Sequence, residues 1–279
     1  MSLHKSSMLV KMTIRQWDGF KKDRVVSERV DVEYQTRGSA GNYNKRLLDK
    51  SVLGPLQKVI NRIRADHKFY TIPWCYDGVD LLPSKLFFEY TSVMRGHKDT
   101  FDTAVDNLVQ QYPIYKANQV TNLGGMFNPE DYPHRDELKA RFGLTFNYFP
   151  VPDEGHYVVD LEARDIAKLE AELVKTLSDT QKAALKGLYA RVNDLVEHVH
   201  ERLMDPENVF RDSMMNNLTM LTEVLPGLNI FGDETLNVVA KRIQEQVLFA
   251  SSDRLREDPD LRKRVADSAY DISTLLKAP

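Results

Sequence analysis

The residues best equipped for chemistry lie between Tyr43 and Trp74. Tyr43, Lys45, Arg46, Lys50, Lys58, Arg62, Arg64, His67, Lys68, Phe69, Tyr70 and Trp74 mix cations with rings over a short stretch. Single-stranded nucleic acid calls for both types, because cations track its phosphates and aromatic faces stack on its bases. The residues singled out for that role are Tyr43, Lys45, Arg46, Arg62, Arg64, Lys68, Tyr70 and Trp74. Rings beside a proline such as Pro73 serve equally well in a core, so both readings stand at this point. Charge bears on the choice. Residues 1–75 hold fifteen Lys and Arg against seven Asp and Glu, while the whole chain is net −3. A basic end on a mildly acidic chain points to a polyanion partner, or to attraction between the two parts of the chain.

Other reactive side chains lack the company that catalysis needs. Cys75 stands between Trp74 and Tyr76, with His67 earlier in the chain. A nucleophilic thiol requires a base and a donor pair for the oxyanion, and the sequence identifies neither. His198 and His200 flank Val199 between Glu197 and Glu201. These are metal-ligand types, but residues two apart on a helix point in different directions. The chain has no G-x-x-x-x-G-K-[ST] phosphate loop, no H-E-x-x-H and no zinc-like Cys/His spacing. The expectation is a non-enzymatic protein with no cofactor and no metal.

The elements that must position these residues follow from periodicity. Met8, Val10, Met12 and Ile14 alternate with Leu9, Lys11, Thr13 and Arg15, the pattern of a half-buried strand. Residues 24–34 read equally as strand or helix. From Gly54-Pro55, Leu56, Val59, Ile60 and Ile63 recur at helical spacing, with Pro55 suited to a first turn. Pro83 opens a longer helix with an apolar stripe through Tyr90, Met94, Phe101, Val105, Leu108 and Tyr112. Residues 129–141 form a short helix, and Leu144–Phe149 and Tyr157–Leu161 are strand candidates that would pair with each other and with the first strand.

Beyond residue 161 the pattern is helical throughout. Leu188, Val192, Leu195, Val199 and Leu203 continue a near-heptad stripe from Ile166, which would seat a partner helix or a second copy. That segment is one long helix, or two joined at Ser178-Asp179. Further helices are expected over 206–225, 233–249 and from Asp258-Pro259 onward. The fold class is therefore α+β and predominantly helical, with a small strand-containing part at 1–161 and a coiled-coil-like part at 162–279. No apolar run approaches the roughly 20 residues of a membrane span. With one cysteine and no signal-peptide core, a cytoplasmic protein is expected.

Several segments together resemble a family of bacteriophage and prophage proteins that carry a domain of unknown function. They are Gly41-Asn42-Tyr43-Asn44-Lys45-Arg46-Leu47-Leu48, Ile72-Pro73-Trp74 with Asp77-Gly78, and the run from Gly125 to Pro133. Pro150-Val151-Pro152-Asp153, Phe210-Arg211-Asp212-Ser213 and Leu225-Pro226-Gly227-Leu228-Asn229 complete the set. The resemblance implies a phage-encoded adaptor acting beside a MoxR-type AAA+ ATPase, and it brings no residue roles. Three functions are thus weighed: an adaptor working with an AAA+ ATPase or a replication complex through its helical part; next, a single-stranded nucleic-acid-binding protein; and last, an enzyme of unknown class using His67, Cys75 or the Glu197–Glu201 cluster. A homo-oligomer is compatible with the first two.

Overall fold

The computed structural model describes residues 3–38, 40–152, 162–205 and 207–277. Short strands and helices alternate over the first half: α1 (Leu3–Ser6), β1 (Ser7–Arg15), β2 (Phe20–Asp23), α2 (Arg24–Glu33) and β3 (Tyr43–Arg46). Then come α3 (Lys50–Tyr70), β4 (Ile72–Pro73), β5 (Asp80–Pro83), α4 (Phe87–Leu123), α5 (Arg135–Ala140) and β6 (Gly143–Pro150). Helices follow: α6 (Ala163–Met204), α7 (Asp212–Leu228), α8 (Glu234–Arg242), α9 (Ser252–Glu257) and α10 (Pro259–Leu276). The protein is α+β and predominantly helical. Among the described residues, no helix is long and apolar enough to cross a membrane.

Side-chain caps explain several helix starts. Asp23 accepts from Val26 N, Asp233 from Leu236 N, and Asp258 from Leu261 N with Pro259 at the first position. The Asp23 cap settles the ambiguous stretch at 24–34 as helix, helped by the Ser27 hydroxyl, which donates to the Asp23 carbonyl at 2.7 Å. Asp49 caps the start of α3 by accepting from Ser51 N at 2.8 Å. That helix therefore begins at Lys50, ahead of the Gly54-Pro55 start the sequence suggests, and Pro55 lies inside it.

Grouped by contacts, the chain forms two units, each discontinuous in sequence, so neither coincides with 1–161 or 162–279. The first comprises Met1–Lys11, His67–Thr91 and Asn147–Pro279; the second comprises Met12–Asp66 and Ser92–Phe146. In the second, the expected stripes of α3 and α4 meet. Leu56, Ile60 and Ile63 share one core with Phe101, Val105, Leu108 and Tyr112, joined by Trp17, Leu47, Leu48 and Leu138. Each such side chain contributes roughly 1.5–3 kcal/mol on full burial.

In the first unit, β5 pairs antiparallel with the start of β1, Ser7 opposite Pro83 and Val10 opposite Asp80. β4 pairs with β5, and the sheet order β4-β5-β1-β6 puts the Leu144–Phe149 strand beside β1, as expected. Its other anticipated partner, Tyr157–Leu161, lies outside the described residues. α6 is a single helix, running through Ser178-Asp179. Its apolar stripe packs on α10 and α7. Leu188, Val192, Val199 and Leu203 are at most 3% exposed, and Leu195 is half-buried. The face expected to seat a partner is occupied by the chain's own helices, because the amphipathic helices that follow it need a surface to bury against.

α7 extends through Pro226-Gly227 rather than stopping before them. A Cβ at Gly227 would lie 2.6 Å from Leu86 Cδ2, so this glycine permits a close approach.

Candidate functional site

The eight residues proposed for nucleic acid divide between the two units and between very different environments. In the first unit, Lys68 is exposed, but Tyr70 is 7% exposed and its hydroxyl donates to Glu89 at 2.9 Å. Trp74 is 8% exposed and belongs to the core. Neither ring presents a face for base stacking. α4 covers Tyr70 by bringing Glu89 and Tyr90 against the end of α3, whereas Trp74 lies beside Thr180 and Ala184 of α6.

His67 is equally engaged. One ring nitrogen meets Tyr90 Oη at 2.8 Å and the other Asp80 at 2.9 Å, so both are engaged away from Cys75, which is exposed. Burial pushes the Tyr90 hydroxyl well above the usual phenol range. Arg191 donates to the Lys68 and Phe69 carbonyls at the end of α3, and burial lowers its guanidinium to about 10.

In the second unit, Arg62 pairs with Asp66 on its own helix and Arg64 is exposed. Tyr43, Lys45 and Arg46 lie on β3, which pairs antiparallel with β2: Phe20 opposite Arg46, Lys21 opposite Lys45, Lys22 opposite Asn44 and Asp23 opposite Tyr43. Strand alternation sorts these pairs onto two faces. One face carries Phe20, Arg46 and Lys22, with the Arg46 guanidinium 4.8 Å from the centre of the Phe20 ring. The other carries Lys21, Lys45, Asp23 and Tyr43.

Two lysines directly opposite each other repel, and carboxylates offset that. Lys45 Nζ lies 2.5 Å from Asp131 and 3.3 Å from Asp23, and Lys21 is 2.8 Å from Asp131. Lys45 also donates to the Met126 carbonyl at 2.9 Å. It is 5% exposed. Burial alone would lower its pKa, but the hydrogen bonds to Asp131 and Asp23 outweigh that and raise it above the ordinary lysine value. The Val26 amide and Lys45 hold Asp23 below the usual carboxylate range, against its partial burial. For Asp131, burial works upward and the bonds from Lys21 and Lys45 carry the net shift downward. Lys45 is thus neutralised by the fold and is not a free phosphate ligand.

Beside this ion cluster lies a cavity of about 720 Å³, lined by Lys21 to Val26, Arg29, Lys45, Gly125 to Asn128 and Asp131. Sequence reasoning missed most of it. Lys22, Arg24 and Arg29 are exposed and make no ion pair among the described residues, and the acidic residues of α2, Glu28, Asp31 and Glu33, do not line the cavity. The Tyr43 ring, on the ribbon face that carries Lys21 and Lys45, is 42% exposed. Phe127, in the cavity wall, is half-buried and packs on Tyr132 with centroids 5.4 Å apart. The available signal was the run Lys21-Lys22-Asp23-Arg24, short and flanked by an element of ambiguous type.

Comparison with protein-family models, with curated proteins and with solved structures returned no match.

Proposed function

We propose that the protein binds single-stranded nucleic acid at the β2–β3 ribbon and its cavity. The observation that carries this reading is the set Lys22, Arg24 and Arg29, three cations with no ion pair among the described residues, lining one cavity beside an exposed tyrosine. Uncompensated cations around a concave surface attract phosphates by releasing their counterions. Tyr43 supplies a face on which a base can stack, and Phe127 gives the wall an apolar patch. Lys45, Asp23 and Asp131 hold the ribbon against the 125–131 segment and leave the outer cations to the ligand.

Fluorescence anisotropy with labelled single- and double-stranded oligonucleotides, from low to physiological salt, tests this. The wild type should bind single strands with a steep salt dependence, and Lys22→Glu/Arg24→Glu/Arg29→Glu should lose that binding while keeping its circular dichroism spectrum. Salt-independent binding, or full binding by the folded triple variant, would refute it.

The adaptor reading, with a phage origin and an AAA+ ATPase partner, is the second proposal. It would have to use surface residues other than the Leu188–Leu203 stripe, such as Val209 and Phe249, 88% and 53% exposed. Co-purification of the full chain with its partners tests it; recovery of this chain alone would count against it.

A further inference from the structure

A second cavity, of about 430 Å³, lies within the first unit where α6 ends and α7 begins. Its polar wall is His198 and Arg202 from α6, Arg211, and Ser213 and Asn217 from α7. Every one of these side chains can donate a hydrogen bond, and the described residues lining the cavity include no carboxylate. Arg202 and Arg211 make no ion pair among the described residues, although two guanidinium groups on one cavity repel each other unless an anion lies between them. Leu195, Phe210 and Met214 give the same cavity an apolar floor, with Phe210 and Met214 buried.

The fold fixes the backbone that carries these exposed side chains. Arg262 is 7% exposed, and its guanidinium donates to the carbonyls of Arg202, Leu203, Asp205 and Asn208. That cation closes the C-terminal end of α6, where the helix dipole is negative, and ties down the connection to α7. Phe210 is held under two guanidinium groups, those of Arg256 and Arg262, 5.1 and 5.3 Å from its ring centre.

At the start of α7, Arg211 provides no side-chain cap. The one acidic side chain of the first turn, Asp212, is paired with Arg256. The positive end of a 17-residue helix therefore adds to the field of the two arginines.

We propose that this cavity binds a small organic phosphate, its phosphate held by Arg202, Arg211 and Ser213 and its body resting on Leu195, Phe210 and Met214. Bidentate guanidinium–phosphate pairing suits the charged end. The volume lies in the range of small-ligand pockets. This inference is independent of the ribbon site, which belongs to the other unit.

Isothermal titration of the full chain with adenosine monophosphate, adenosine and inorganic phosphate tests it. Adenosine monophosphate should bind, inorganic phosphate more weakly, and adenosine not measurably. Arg202→Gln/Arg211→Gln should weaken adenosine monophosphate at least tenfold with an unchanged thermal melt, and Arg211→Lys alone should retain part of the affinity. Should the double variant melt early, the single Arg211→Gln variant, altering an exposed side chain with no ion pair among the described residues, carries the same expectation. The proposal fails if neither phosphate binds the wild type, or if adenosine binds as well as its monophosphate. It fails equally if the folded arginine variants bind undiminished, or if they lose oligonucleotide affinity while adenosine monophosphate affinity stays intact. That last result would mark a strand contact instead.

Discussion

In the β2–β3 ribbon the Tyr43 ring is 42% exposed beside exposed cations, whereas around the end of α3 the Tyr70 and Trp74 rings are 7% and 8% exposed. Both stretches are built from the same residue types. The difference lies in what covers them. At the end of α3, Glu89 takes the Tyr70 hydroxyl and Tyr90 packs on its ring. The Tyr43 hydroxyl reaches Met126 Sδ at 4.0 Å, and much of its ring stays in solvent. Charge divides in a parallel way within the ribbon itself. Lys45 is buried among carboxylates while Lys22, one residue beyond its cross-strand partner Lys21, is exposed and makes no ion pair among the described residues. Residue type sets what a side chain can do, and its neighbours in space decide whether it is available.

The largest effects should come from the buried members of each pair. Trp74→Ala removes a core ring and should cost about 3 kcal/mol of stability, read by urea unfolding, without weakening oligonucleotide binding by the fraction that stays folded. A specific loss of binding would overturn the contrast between the two regions. Lys45→Met should cost about 3 kcal/mol as well, because it strands Asp23 and Asp131 with only Lys21 to offset them; a neutral effect would mean that the ion cluster does not hold the ribbon.

Intermediate effects belong to the exposed members. Tyr43→Ala should leave the melt unchanged and reduce affinity for a single strand roughly tenfold, the worth of one stacked base. If affinity is untouched, the ring is only surface. Each cation removed among Lys22, Arg24 and Arg29 should lower the slope of log affinity against log salt by about 0.7, and Arg62→Gln, already paired with Asp66, should lower it less.

The smallest effect is on pH. Asp23 and Asp131 have folded pKa values below the ordinary 3.8. Their contribution to stability is therefore complete above that value and is lost as pH falls through the lower folded values. Lys45 is shifted upward from 10.5, so its contribution is complete below 10.5 and is lost as pH rises through the folded value. The stability difference between wild type and Lys45→Met should be flat from about pH 5 to about pH 9 and shrink at both extremes. A difference that varies across neutral pH would place the coupling elsewhere.

Core-forming helices were legible because their stripes are long and periodic: Leu56, Ile60 and Ile63, and Phe101, Val105, Leu108 and Tyr112, all reach the core as their spacing implies. Capping residues marked the later helix starts for the same local reason, at Asp233 and Asp258. Short strands were not legible. β2 and β3 have four residues each and carry Lys, Asn, Asp and Arg rather than β-branched residues, so only their pairing with each other identifies them.

By itself, then, the sequence determined the class of the fold, the faces of its long helices and the excess of cations near its N-terminus, because these are properties of residue type and local spacing. Tertiary structure alone decided that Lys45 is neutralised, that Tyr70 and Trp74 are buried, and that the stripe of α6 is covered by α10 and α7. It also brought Lys22, Arg24 and Arg29 to one cavity, and His198 and Arg202 to another with Arg211. The physical reason is range. Periodicity and capping act over one or two helical turns, whereas the charge state and exposure of a side chain depend on atoms supplied by segments distant in sequence, as Asp131 and Met126 are from Lys45.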